Sequence, residues 1–130
     1  LNQFLSALGL DELHSQQLEI LAERALPKGH VDILIKDATP IGTTTVIAVE
    51  VTLGVARPND LVQLEQYVRI IGEECRAGVL IARSASANLV ASARERDLHI
   101  FSYATDATDE TVLPTFEDLL TRFSINHLEV

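Results

Sequence analysis

The stretch VIAVEVTLG, residues 46–54, decides the fold of this chain. Apart from Glu50 and Thr52 it is apolar at odd and even positions alike, so a β-strand here buries both of its faces. Such strands are central ones, in sheets covered by helices. Upstream, HVDILIK (30–36) alternates: Val31, Ile33 and Ile35 point one way, and Asp32, Leu34 and Lys36 the other. DATPIGTT (37–44) between them reads as a turn, which makes the two strands a hairpin. Downstream, Leu61, Leu64, Val68, Ile71 and Cys75 recur at helical spacing. With Asn59 or Asp60 as its cap, this helix is expected to run to about Arg76.

The remaining segments extend the same alternation. LNQFLSALGL suits a short helix ended by Gly9. A second helix is expected over residues 11–26, striped by Leu13, Leu18, Leu21, Ala22 and Ala25 and stopped by Pro27. After Gly78 come a strand at VLIA (79–82), a helix around Leu89, Val90 and Ala93 capped by Ser84 or Ser86, and a final strand at LHIFSY (98–103). A polar loop over 104–112 and a closing helix at FEDLLTRF (116–123) complete the reading. The order α, α, β, β, α, β, α, β, α implies an α/β sheet with parallel crossovers, preceded by a hairpin.

A length of 130 residues suits one domain spanning 1–130, and 47% hydrophobic residues are enough to give it a core. Leu1 at the start and the lack of any Met lead us to expect a domain excised from a longer protein. A single cysteine, Cys75, precludes an internal disulfide and suits a reducing cytoplasm. No apolar run approaches the roughly 18 residues of a spanning helix, and no signal peptide opens the chain, so the expected location is cytoplasmic, with no membrane partner. The net charge of −9 weighs against a polyanionic partner, whose affinity comes mainly from cations on phosphates. Any such grip must therefore be local, or come from a metal ion or another domain.

Glu50 carries the chemistry. A carboxylate inside VIAVEVTL is costly to bury unless it is paired, hydrogen-bonded or bound to metal. Asp32 on the neighbouring strand can join it if their faces coincide, and two carboxylates with water suit a hard divalent cation. Asp32 has a plainer role open to it, as a cap at a strand start. On the following helix Gln63 and Tyr67 stand four apart, offset from the apolar stripe; their plainer roles are a solvated Gln and a Tyr at the core's edge.

The order Asp32, Glu50-x-Thr52, Gln63-x-x-x-Tyr67 resembles the PD-(D/E)xK nuclease superfamily, closest to its RecB-like and NucS-like branch. The resemblance spans residues 11–103. It implies a restriction-endonuclease-like fold, a mixed β-sheet core flanked by helices. It further implies a metal-dependent nuclease acting on nucleic acid, with DNA the expected substrate. By that resemblance Asp32 and Glu50 hold Mg²⁺ (or Mn²⁺), Gln63 and Tyr67 border the substrate, and Thr52 occupies the place of the catalytic Lys. Thr52 carries no charge. The cations that could replace the Lys are Lys28, Lys36 and Arg57. Glu19 and Glu23 are candidates for the superfamily's third acid, which lies on its first helix.

The alternative is the same fold kept as an inactive scaffold for self-association or protein binding, in a homodimer or beside further domains; a chance match is the third reading. Other constellations are poorer. His14, His30, His99 and His127 lack metal-ligand spacing, and Ser84 and Ser86 lie in no nucleophile elbow. No glycine-rich phosphate loop follows a strand, and Arg83, Arg94 and Arg96 read as a solvated face.

Overall fold

The apolar run forms the strand it demands. In the computed structural model, which describes residues 2–10, 18–26, 29–37, 46–52, 54–104 and 124–128, strand β3 (Val46–Val51) lies inside a six-stranded sheet. The elements in chain order are α1 (Asn2–Ala7), β1 (Leu18–Leu26), β2 (Gly29–Asp37), β3, α2 (Pro58–Ile71), β4 (Cys75–Ala82), α3 (Ala87–Glu95), β5 (Leu98–Ala104) and β6 (Ser124–Leu128). Strand order in the sheet follows sequence order. β1, β2 and β3 pair antiparallel, β3, β4 and β5 parallel, and β6 returns antiparallel to β5.

Two successive crossovers that step the same way across a sheet set their helices on one face. Accordingly Leu61 and Leu64 of α2 and Leu89, Val90 and Ala93 of α3 share one buried cluster with Ala48, Leu80 and Ile100. The other face carries Ile35, Ile47, Val49, Val79 and Ile81 beneath Phe4 and Leu5 of α1 and Leu8 just after it. Phe4 stacks at a tilt on Phe101, with ring centroids 5.0 Å apart. The alternation expected of β2 holds where its side chains are described: Ile33 and Ile35 join the α1 face, and Leu34 the α2 face.

Four expectations are corrected. Residues 18–26 form strand β1, paired with β2 from Leu18↔Asp37 to Leu26↔Gly29, where helix was expected. Glu, Leu, Ala and Arg favour helix individually, but pairing along a whole strand outweighs a weak local preference. α2 ends at Ile71, where Gly72 turns the chain at φ +85°; Cys75 and Arg76 consequently belong to β4. Arg57 caps α2, and Asp60, one of the expected caps, reaches back from the first turn to accept the Arg57 N–H at 2.8 Å. β5 is followed by a further strand, β6. For α3 the cap is Ser86, whose hydroxyl accepts the Leu89 N–H at 3.1 Å. The expected loop and closing helix, from residue 105 to 123, lie outside the described residues.

Helix α2 is seated on β4 through Gly78. A Cβ at this position would stand 2.7 Å from Val68 Cγ2 and 2.8 Å from Leu98 Cδ2. Val68 is β-branched and gives way poorly. We expect Gly78→Ala to lower stability in denaturant titration by about 1–3 kcal/mol, as overpacking does. Adding Val68→Ala should recover part of that loss, so the double mutant is less destabilised than the sum of the two single changes.

Candidate functional site

The site is built at the edge of the sheet where β3 and β4, being parallel, both end. Glu50 is the penultimate residue of β3 and pairs with Leu80 of β4. It alternates with Val49 and Val51, which belong to the α1 face, so it lies on the face covered by α2. The residue is half-buried, and its Oε2 is shut off from solvent. The register of β2 on β3 runs Lys36↔Val46, Ile35↔Ile47, Leu34↔Ala48 and Ile33↔Val49. Continued by one pair, it sets Asp32 opposite Glu50. Whether the two strand faces coincide could not be read from the sequence; the register answers it for the backbone positions. The Asp32 side chain lies outside the described residues.

Thr52 follows β3 on the parity of Glu50. Its N–H donates to Ile81 O at 2.8 Å, which carries the parallel pairing past the strand's end, and its side chain is half-buried. α2 lies over β3 and β4 and reaches β2 and β1, so the helix bearing Gln63 and Tyr67 covers the face on which Glu50 sits. Tyr67 is half-buried against the apolar cluster beneath the helix, whereas Gln63 is exposed.

The candidate third acids are not on a helix; both lie in β1. Glu19 is exposed and meets Lys36 Nζ at 3.7 Å, a surface pair of small energetic weight. That contact also engages Lys36, one of the candidate replacement cations. Glu23 falls, by continuation of the β1–β2 register, opposite Asp32. Lys28 lies outside the described residues. Arg57 is exposed at the start of α2. Cys75 takes no part: it is half-buried in β4, its Sγ donates to Ala77 O at 3.3 Å, and burial pushes its thiol pKa up. Among the described residues no group of three His, Cys, Asp or Glu side chains gathers to hold a metal. The side chains of Glu23 and Asp32 lie outside the described residues; a carboxylate from Asp32 together with Glu50 would make the usual protein share of a Mg²⁺ site, completed by water and phosphate.

No family model and no curated protein match the chain. Among solved structures it is similar to an EndoMS–dsDNA2 complex, with 20% identity and a TM-score of 0.54 over 76% of this chain and 41% of that one. It is also similar to the crystal structure of a repair endonuclease from Pyrococcus abyssi, with 16% identity and a TM-score of 0.54 over 76% of this chain and 44% of that one. The chain thus spans less than half the length of either. At these identities the likeness is one of fold. The restriction-endonuclease-like mixed sheet flanked by helices, expected from the sequence, is the fold observed. Among the described residues no helix is long and apolar enough to cross a membrane.

A carboxylate kept half-buried for function is a poor contributor to stability. Glu50→Gln keeps the shape and removes the charge. We expect its thermal midpoint to match or exceed that of the parent, by up to about 1 kcal/mol of stability. A clear loss in a calorimetric scan would instead make Glu50 a structural anchor.

Proposed function

We propose that this chain is a metal-dependent nuclease domain that hydrolyses phosphodiester bonds of DNA. The observation that carries the reading is the placement of Glu50. It is a carboxylate at the end of a central strand, half-buried with one oxygen closed to solvent, and the register brings Asp32 across from it. The fold shared with the two endonuclease structures supports the same reading.

On this reading Asp32 and Glu50 would hold Mg²⁺ or Mn²⁺. When bound, the cation neutralises charge on the phosphate and lowers the pKa of water beside it. Glu50 also accepts a hydrogen bond from the attacking water, aiming it at phosphorus. The water oxygen forms the new P–O bond, the bond to the leaving sugar oxygen breaks, and the proton lost by water ends on that leaving oxygen through solvent. Thr52, on the parity of Glu50, offers a hydroxyl that can donate to a phosphate oxygen or hold a water, but brings no positive charge. Tyr67 and Gln63, on the helix over the site, line the substrate side.

The test is cleavage of labelled single-stranded, duplex and branched DNA, and of RNA, with Mg²⁺ or Mn²⁺ and with EDTA. The parent should cut DNA only with metal. Glu50→Gln should cut more slowly by about two orders of magnitude or more while remaining folded, the scale for losing one positioned catalytic group. No cutting by the well-folded parent on any substrate would reject the reading and leave an inactive scaffold.

Thr52 generates a separate expectation. Thr52→Lys places a cation two residues beyond Glu50, where it can bind phosphate and orient water. We expect this variant to raise the single-turnover rate by about tenfold or more, with little change in substrate affinity. An unchanged rate would mean that Thr52 lies outside the reacting zone.

A further inference from the structure

On the face of the sheet covered by α2 and α3, the strands turn from apolar to polar along one edge. β3 goes from Ala48 to Glu50 and, just past its end, Thr52; β5 goes from Leu98 and Ile100 to Ser102. β6 runs the other way, from Asn126 to Leu128, and Leu128 packs with the same apolar cluster. The register aligns these changes. Ala82↔Ser102 and Ser102↔Asn126 pair directly, and Thr52 N–H donates to Ile81 O at 2.8 Å, which continues β3 beside Ala82. Thr52, Ala82, Ser102 and Asn126 therefore occupy one row, two residues beyond the row of Glu50, Leu80 and Ile100.

The opposite face shows no such change. There Val51, Ile81, Phe101 and Tyr103, at the same edge, all belong to the cluster beneath α1. The polar row is thus confined to the face that bears Glu50. Ala82 is fully buried, whereas Thr52 and Ser102 are half-buried. Among the described residues neither of those two hydroxyls has a hydrogen-bond partner.

The two halves of the edge also differ in charge. Toward β1, continuation of the registers carries the Glu50 row to Asp32 and then Glu23, three carboxylate positions side by side. Toward β6, the row from Thr52 holds two hydroxyl residues and an amide residue, with no charge. A polyanion meets repulsion over the first half and neutral donors over the second.

We propose that a substrate strand with its scissile phosphate at Glu50 continues over the ends of β4, β5 and β6, where Ser102 and Asn126 donate to its sugar–phosphate backbone. The proposal rests on the nuclease reading and gives the strand its path across the site. Strands ~4.8 Å apart put the position of Ser102 about 10 Å and that of Asn126 about 14 Å from Thr52. That span is roughly three to four nucleotides at ~3.4 Å of rise. Hydroxyl and amide donors to phosphate and sugar fix position without reading sequence.

The experiment is anisotropy titration of a short labelled DNA duplex with the whole protein in EDTA, where binding is read without cleavage. Ser102→Ala removes a donor, and Asn126→Asp exchanges a donor for a charge at nearly constant shape. Affinity should fall by about threefold or more in the first and about tenfold or more in the second, equally for unrelated sequences. Ala7→Glu adds the same charge at an exposed position of α1, across the sheet, and should leave affinity within about twofold. An equal loss in that control would reduce the effect to net charge and overturn the proposal. So would unchanged affinity in both edge variants, or a parent protein that does not bind DNA. If the parent cuts DNA while both edge variants bind as it does, the path is wrong and the nuclease reading stands. If affinity falls as expected but the parent cuts nothing, the nuclease reading fails and the strand's place on this edge stands.

Discussion

Strand β3 is held by two different kinds of neighbour, and the rest of the structure depends on that. On one side β2 pairs with it antiparallel through a hairpin; on the other β4 pairs parallel, which requires the chain to cross over through α2. The parallel half obliges helices to cover the sheet, and β3 and β4 answer with residues buried on both faces: Ile47, Ala48, Val49, Val79, Leu80 and Ile81. The antiparallel half brings the start of β2 to the edge where β3 and β4 finish. The backbone position of Asp32, near the beginning of one strand, is thereby set opposite that of Glu50, near the end of the next. Neither the hairpin nor the crossover alone places Asp32, Glu50 and the first turn of α2 at the same edge.

The parts of this arrangement that were legible in the sequence are those where burial left a period. β3 was legible because apolar residues on both parities leave it nowhere to go but the middle of a sheet. α2 was legible because Leu61, Leu64, Val68 and Ile71 share a stripe, and Ser86 because a hydroxyl before an apolar helix satisfies an otherwise unmet N–H. β1 was not legible. Its residues LEILAERAL are good helix formers, and a helical stripe through Leu18, Leu21, Ala22 and Ala25 competes with the strand alternation Leu18, Ile20, Ala22. The register decides for the strand: Ile20 stands opposite Ile35, Ala22 opposite Ile33, and Leu26 opposite Gly29. Pro27 was the available signal, read as a helix stop, whereas the strand runs to Leu26 and pairs there with Gly29 at the start of β2.

The same error concealed part of the candidate site. With residues 11–26 as a helix, Glu19 and Glu23 were equivalent surface acids one turn apart. As strand residues they separate. Glu19 pairs with Lys36, away from the edge, whereas Glu23 continues the row of positions that runs through Asp32 to Glu50. The extent of α2 mattered similarly. Ending it at Ile71 places Cys75 in β4, next to the sheet's interior, where burial pushes its thiol pKa up. By contrast, the absence of a lysine at Thr52 was plain from the sequence and is unchanged by the fold.

An acidic chain that acts on a polyanion must solve its charge locally, and the fold shows what is available for that. The proposed carboxylates repel phosphate until a divalent cation lies between them, so metal and substrate would be strongly interdependent in binding. With Thr52 uncharged, the strand itself contributes no cation to the phosphate. The connections that follow β3 and β4 are paired along their backbones, Arg83 N–H to Gly54 O and Ala56 N–H to Ser84 O, and both Arg57 and Arg83 on them are exposed. On the proposed reading, activating water and neutralising the phosphate would both fall to the carboxylates and their cation, while Thr52 would offer only a hydroxyl. On that reading the missing Lys charge would tell more on the rate of cutting than on binding, since it acts chiefly where charge develops in the transition state.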